Sequence, residues 1–450
     1  MNGAAGARGA AGGFSRMNFF LDITRLATRI FRSGPTGIDR VEFAYAKQMI
    51  DDPATVCVFT APVFSGAIRA ERARDILARV ERAWRLDAAA DDDRVFGALR
   101  RWLDRPLDGE AVKPMRFRAE KGWPAWMEQA DFFPLRDILR AETRLSRRIL
   151  RSEGAPKMFF HCSHAQLDKP QRFRWLAEAG MRSTFFLHDA IPVEFPEFCS
   201  PGAYQRHLDR LATVSAYATM SIVNSQDSRR AVETSLRERG LRAPEIEIVP
   251  LAVDDAFARP ARPPRRPAIP YFVYVGTIEP RKNLLFLLAV WRRLVERHGA
   301  RAPRLVIAGR RGWENENIVD VLERSRQLAP FLAEASDLTD AGLARLMADS
   351  AALVAPSFAE GFGLPVVECL AVGAPAIVSD IAAHREVGED YAVFADSIDG
   401  PAWVGAIEAL MDDESDFRRQ KLEKIAAYRP LSWSQHVARA RALMERAAAA

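Results

Sequence analysis

Short apolar runs alternate with stretches of helical period along most of this chain, and few folds accept that pattern. Phe19–Ile23, Thr55–Thr60, Lys157–His161, Ser183–Leu187, Met220–Val223 and Ile246–Pro250 read as buried strands in the first half. Tyr271–Val275, Arg304–Ala308, Ala352–Ala355 and Ala376–Ser379 do so in the second. Ile38–Ile50, Asn283–His298, Ala341–Asp349 and Pro365–Val372 carry helical spacing. Such alternation implies parallel sheets with helices on both faces. At 450 residues the chain exceeds one core, so two α/β, doubly wound domains are expected. Pro260, Pro263, Pro264, Pro267 and Pro270 crowd one segment, a stiff linker over 259–270 between domains at 17–258 and 271–430. Ligands of such sheets bind beyond the carboxyl ends of the strands, here in the cleft between domains.

Residues 66–151 break the alternation and read as a helical insertion in the first domain. Gly66 to Leu150 holds 19 Lys/Arg against 15 Asp/Glu, most of the excess behind the chain's net charge of +5. Trp84, Phe96, Trp102, Phe117, Trp123, Trp126, Phe132 and Phe133 are interleaved with those arginines. Aromatic rings beside cations suit an anionic membrane surface or an anionic acceptor. The alternative is the core of a solvated helical insertion. A nucleic-acid partner is not expected, since no binding motif accompanies the charge. Cys57, Cys162, Cys199 and Cys369 lack metal or disulfide spacing and read as reduced thiols. No apolar run reaches membrane-spanning length. Residues 1–16 are Ala/Gly-rich without the apolar centre of a secretory signal, so they read as a disordered extension, with Met17 an alternative start. The expected location is cytoplasmic, peripheral at the inner face of the cytoplasmic membrane.

The stretch Ala355 to Glu368 carries the most chemistry. A strand ends, the loop Glu360-Gly361-Phe362-Gly363-Leu364 follows, and a helix opens with Pro365 in its first turn. Free amides there, with the helix dipole, favour an anion, and glycine lets the backbone approach it. Glu360 and Glu368 would repel a phosphate unless they accept hydrogen bonds from hydroxyls. Phosphates flanked by polyols describe a nucleotide sugar, with Glu360 on the sugar and Glu368 on the ribose. Upstream, the strand Tyr271–Val275 runs through Gly276-Thr277-Ile278-Glu279-Pro280 into Arg281-Lys282-Asn283. Two cations at a helix start oppose its dipole, which asks for an anionic partner such as a diphosphate.

These segments, with Ala308–Trp313 (AGRRGW), resemble the retaining GT-B glycosyltransferases of family 4, most closely bacterial enzymes of O-antigen, capsule and exopolysaccharide synthesis, many of which use GDP-mannose. The resemblance is dense from Tyr271 to Ala395. It continues in patches at Asp22–Leu26, Thr36–Glu42, Leu187–Glu197 and Val223–Val232. It implies a fold of two Rossmann-like domains, with a C-terminal helix over 431–450, near Trp433, crossing back to the first domain. It implies that Lys282 and Arg281 hold the diphosphate and that Glu360 binds the donor sugar. Gly361, Phe362, Gly363 and Leu364 would contact donor through the backbone, and Glu368 the ribose. Gly309 and Arg310 would border the nucleoside, Gly34 and Gly37 would approach the phosphates from the other domain, and His188 and Asp189 would sit on the acceptor side. Thr277 stands where many members carry Arg, which shifts weight onto Lys282. Anomeric retention, no required metal or cofactor, and a glycan or polyprenol-linked acceptor complete the implied picture.

Rival readings are a nucleotide-sugar epimerase of the same fold and a non-catalytic nucleotide-sugar-binding subunit. His161-Cys162-Ser163-His164 offers three metal-ligand types but no completing cluster, so it reads as cleft lining. Asp22 and Arg40 flank the first loop and are candidates for an internal ion pair.

Overall fold

The computed structural model describes residues 17–30, 34–60, 65–119, 156–258 and 264–449. The expected extension over 1–16, part of the linker (259–263) and Trp123, Trp126, Phe132 and Phe133 lie outside the described residues.

Two seven-stranded sheets organise the chain. The first contains β1 (Asn18–Asp22), β2 (Thr55–Thr60), β3 (Ser65–Ile68), β5 (Lys157–His161), β6 (Arg182–Leu187), β7 (Met220–Val223) and β8 (Glu245–Ile248), in the order β3-β2-β1-β5-β6-β7-β8. Only the β2–β3 pairing is antiparallel. The second contains β4 (Met115–Phe117), β9 (Tyr271–Val275), β10 (Arg304–Ala308), β11 (Leu332–Ala335), β12 (Ala352–Ala355), β13 (Ala376–Ser379) and β14 (Val393–Ala395). Their order is β14-β13-β12-β9-β10-β11-β4, all parallel. Helices cover both faces, so a central strand such as β10 is buried at every position. The helices that frame the cleft and the contacts between the halves are α1 (Gly37–Met49), α2 (Ala70–Trp84), α3 (Arg94–Leu103), α4 (Ala203–Tyr217), α5 (Gln226–Glu238), α6 (Leu284–His298), α7 (Asp340–Ala348), α8 (Leu364–Val372), α9 (Ala382–Gly388) and α10 (Trp433–Ala449).

The segment read as a helical insertion of the first domain is shared between both halves, and it is not wholly helical. β3 pairs with β2, and α2 buries Ile76, Leu77, Val80 and Trp84 in the first core. α3 instead packs Phe96, Leu99 and Leu103 against Val273 and Val306 of the second sheet. β4 then pairs with β11, Met115 opposite Ala333 and Phe117 opposite Ala335. Arg304, buried at the start of β10, explains the attachment. It donates to the carbonyls of Trp102, Leu103, Arg105 and Pro106 at 2.8–3.1 Å and lies over the Trp102 ring. Those carbonyls lie at and just beyond the C-terminal end of α3, where exposed carbonyls and the helix dipole favour a cation.

Exchange also runs the other way. α10 returns from the end of the chain to the first half, where His436 links Tyr45 Oη (2.8 Å) and the Pro250 carbonyl (2.7 Å). Arg441 pairs with Asp52 at 2.8 Å. No helix of the described residues is long and apolar enough to cross a membrane.

Candidate active site at the carboxyl ends of the second sheet

β9 ends at Val275, and Gly276 turns the chain with φ of 150°. A Cβ on Gly276 would stand 3.3 Å from Lys282 Cε. Gly309, following β10, is tighter still. Its Cβ would fall 1.8 Å from the Gly276 carbonyl oxygen, so only glycine lets these two strand ends meet. Pro280–Lys282 forms one 3₁₀ turn, and Asn283 follows with φ of 55°, a conformation asparagine tolerates. The Asn283 side-chain amide donates to the carbonyls of Pro356 and Ser397, which fastens this turn to the loops after β12 and β14.

That loop delivers Glu360 to the cations. Lys282 Nζ lies 2.5 Å from Glu360 Oε1, and an Arg281 terminal nitrogen 2.8 Å from Oε2. Ser357 Oγ donates to Oε1 at 2.7 Å. Arg281 also donates to Glu279 Oε1 and to the Ala359 carbonyl, both at 2.7 Å. Burial pushes the Glu360 carboxyl up, but Arg281 and Lys282 outweigh it and hold the group well below the usual carboxylate range. Two cations thus face two carboxylates, Glu279 and Glu360. Arg281 and Lys282 therefore do not oppose the dipole of α6 as the sequence suggests: they stand in their own turn ahead of it, already paired.

The next residue crosses to the first half. A Cβ on Gly361 would lie 2.6 Å from the His188 carbonyl and 3.0 Å from Asp189 Cβ. The Gly361 carbonyl accepts from Ser225 Oγ (2.8 Å) and Ser228 Oγ (3.1 Å), and Asn224 holds the His188 carbonyl at 2.9 Å. Ser225 also caps α5, so one hydroxyl ends a helix and docks the loop. Phe362 is buried. Gly363 takes φ of 94° against the His384 ring of α9. Leu364 opens α8 with Pro365 in its first turn. The amides of Val366 and Val367 fold back on the Gly363 carbonyl. Among the described residues, the amides of Gly363 and Leu364 keep no acceptor.

His188 stacks on Phe186 at 4.6 Å, and its Nε2 meets the Cys162 carbonyl at 2.9 Å. Burial pushes the ring down to about 4, against the opposing effect of that carbonyl, so it is neutral at pH 7. Asp189 is raised by burial, with Arg281 opposing. Gly34 reaches the same region from the first half: its Cβ would stand 3.5 Å from the Arg310 guanidinium, which pairs with Asp337 at 2.5 Å. Gly37 heads α1 in open space, behind a capping box between Thr36 and Asp39. Arg311 is pinned by Glu334 and Glu323.

Glu368 departs from this group. It is 4% exposed, has no hydrogen-bond partner among the described residues, and borders a cavity of about 130 Å³ with Arg40, Asp254, Asp340, Leu364 and Trp433. Lys282, Arg281 and Glu360 do not line that cavity. Burial pushes the Glu368 carboxyl up to about 8, with Arg40 opposing. Arg40 does not pair with Asp22. It grips both oxygens of Asp340 at 2.5 Å, joining α1 to α7, while Asp22 accepts from the Thr24 amide (2.9 Å) and Thr60 Oγ1 (2.6 Å). The Arg40–Asp340 and Gly361–Ser225–Ser228 contacts escape sequence reasoning because each joins residues far apart in the chain.

Residues 269–413 match the family model described as glycosyl transferases group 1. O-antigen chain mannosyltransferase B of Escherichia coli is 32% identical over 163 residues, covering 36% of this chain and 42% of that protein. Serotype-specific mannosyltransferase WbdA of Escherichia coli is 31% identical over 231 residues, covering 48% of this chain and 28% of that one. The chain thus spans less than half the length of these curated relatives. Among solved structures, Anabaena HepE, in complex with UDP and glucose, aligns at a TM-score of 0.58 and 13% identity, over 96% of this chain and 99% of that one. Sucrose-phosphate synthase from Thermosynechococcus elongatus aligns at 0.51 and 17%, over 67% and 76%. Those alignments speak to the fold. Residues 269–413 are thus similar to the glycosyl transferases of group 1, and they sit in a chain with the two-sheet GT-B fold.

Proposed function

We propose that this chain transfers a hexose, mannose in first place, from GDP-mannose to a glycan or polyprenol-linked acceptor in bacterial surface polysaccharide synthesis, retaining the anomeric configuration and needing no metal. The observation that carries the reading is the meeting of Lys282 and Arg281 with Glu360, a few residues before the free amides of Gly363 and Leu364 and across Gly361 from His188 and Asp189. Mannose is favoured because the curated relatives named above are mannosyltransferases.

In this reading the bound diphosphate draws Lys282 and Arg281 away from Glu360. The freed carboxylate then accepts hydroxyls of the donor sugar. The bond between the anomeric carbon and the phosphate oxygen breaks while the acceptor oxygen attacks the same face, and the acceptor proton passes to the departing phosphate. The two cations and the Gly363–Leu364 amides stabilise the charge that builds on the leaving group. Neutral His188 faces the sugar as a hydrogen-bond partner. Arg310, beside Gly34, borders the nucleoside, and Glu368 reaches the ribose from its own cavity.

Glu360→Gln tests the exchange. Transfer should fall by roughly 10²–10³ or more, the scale of losing one transition-state contact. GDP affinity by calorimetry should hold or tighten, because Lys282 is released. Loss of transfer and affinity in step would remove Glu360 from the sugar. Thermal stabilisation of wild type by GDP, UDP and dTDP identifies the base, and a response to none of them sinks the transferase reading.

A further inference from the structure

Behind His188 lies a cluster that the reading above leaves unused. His207 and Arg210 stand one turn apart on α4, and His164 follows β5. The His164 ring sits 5.2 Å from that of His188 and 6.1 Å from that of His207. His207 is wholly buried, yet neither of its ring nitrogens has a hydrogen-bond partner among the described residues. His164 Nε2 and Arg210 Nε are equally buried and equally unmatched. The two carboxylates that Arg210 feels are engaged elsewhere: Asp168 pairs with Lys169 at 3.2 Å, and Asp189 accepts the Ile191 amide at 3.2 Å. Arg25 and Arg206 add further positive potential.

A half-buried guanidinium beside buried imidazoles with unmet donors is costly in isolation. An oxyanion would satisfy both kinds of donor, and phosphoryl oxygens do so best because each accepts several short, charge-assisted hydrogen bonds. Burial also keeps His164 and His207 neutral, so each has one N–H to offer without adding charge. We propose that Arg210, His164 and His207 form an anion subsite for a phosphate group of the acceptor, behind His188 and Asp189. The word acceptor rests on the transferase reading; the anion subsite does not. The phosphate can belong to a polyprenyl diphosphate or to a phosphorylated glycan.

The test uses the full chain saturated with GDP, which fills the Lys282 cradle, and titrates inorganic phosphate by calorimetry. Wild type should bind phosphate, Lys282→Ala without GDP should still bind it, and Arg210→Gln should weaken it about tenfold or more, the scale of one hydrogen bond to a charged group. Arg210→Lys should recover part of the loss. Absence of phosphate binding in wild type, indifference to Arg210→Gln, or loss of binding in both the GDP-filled and Lys282→Ala chains would each overturn the subsite. Transfer assays separate the two sources. With the true acceptor class, polyprenyl-diphosphate-linked or phosphomonoester-bearing, Arg210→Gln should raise KM about tenfold with kcat little changed. An equal rise with an unphosphorylated glycan would count against the proposal. Failure of GDP itself to bind would strike the donor reading and leave the phosphate titration interpretable alone.

Discussion

Glu360 and Glu368 flank the opening of α8, and their surroundings are opposite. Glu360 is clamped by Lys282, Arg281 and Ser357 and is held well below the usual carboxylate range. Glu368, one turn into the helix, touches no hydrogen-bond donor and is pushed up to about 8. Both are at least nine-tenths covered, so burial alone does not separate them. What differs is the number of cations each neighbourhood can spare. Around Glu360 two positive charges sit within ion-pair distance, while Arg40, the cation nearest in effect to Glu368, is committed to Asp340. A carboxylate that is already paired is poised to exchange partners when an anion arrives. One kept uncharged is poised to ionise when a ligand brings donors.

Three substitutions probe that contrast. Arg40→Ala strips Asp340 of its bidentate partner and leaves a buried charge unpaired. A loss of about 3 kcal/mol is expected, read as a melting temperature many degrees lower at pH 7; an unchanged melt would mean the pair does not hold α1 to α7. Lys282→Ala removes one clamp from Glu360 and one contact to the diphosphate. GDP affinity should fall roughly tenfold by calorimetry, and an unchanged value would take Lys282 out of the donor site. Glu368→Gln has an effect that vanishes near pH 4.5, grows with pH and has a defined sign. The folded chain keeps the Glu368 proton where the unfolded chain has released it. Stability is therefore full below about 4.5 and is lost as pH rises through about 8. The variant should melt with wild type near pH 4.5 and several degrees above it at pH 8. Equal melting across that range would show that Glu368 is solvated and ionised like any surface glutamate.

Much of the architecture is legible in sequence because central strands are apolar on both faces. β2, β5, β7, β9, β10, β12 and β13 fall where the apolar runs place them. The strands at and next to one edge of the second sheet leave weaker traces. β4 is Met-Arg-Phe with little burial, and β11 carries Glu334, whose charge looks wrong for a buried strand until Arg311 is seen holding it. The convergence of Lys282 with the Glu360 loop was readable because each element announces itself locally, through glycine, proline and charge. The surroundings of Glu368 were not, since they are built by Arg40, Trp433 and Asp254 from distant parts of the chain. Arg210 and His207 likewise look like ordinary helix residues until His164 is folded against them.

The strand Met115–Phe117 and the helix before it have a consequence for anyone wishing to handle the halves separately. A protein cut at the proline-rich segment would release a second half without its outermost strand. Arg304 would then be a buried cation with the carbonyls of Trp102, Leu103, Arg105 and Pro106 taken away. The first half would in turn lose the helix that covers Tyr45 and Asp52. Dissection by sequence order yields two incomplete bodies, so each isolated piece must carry residues from the other side of the cut.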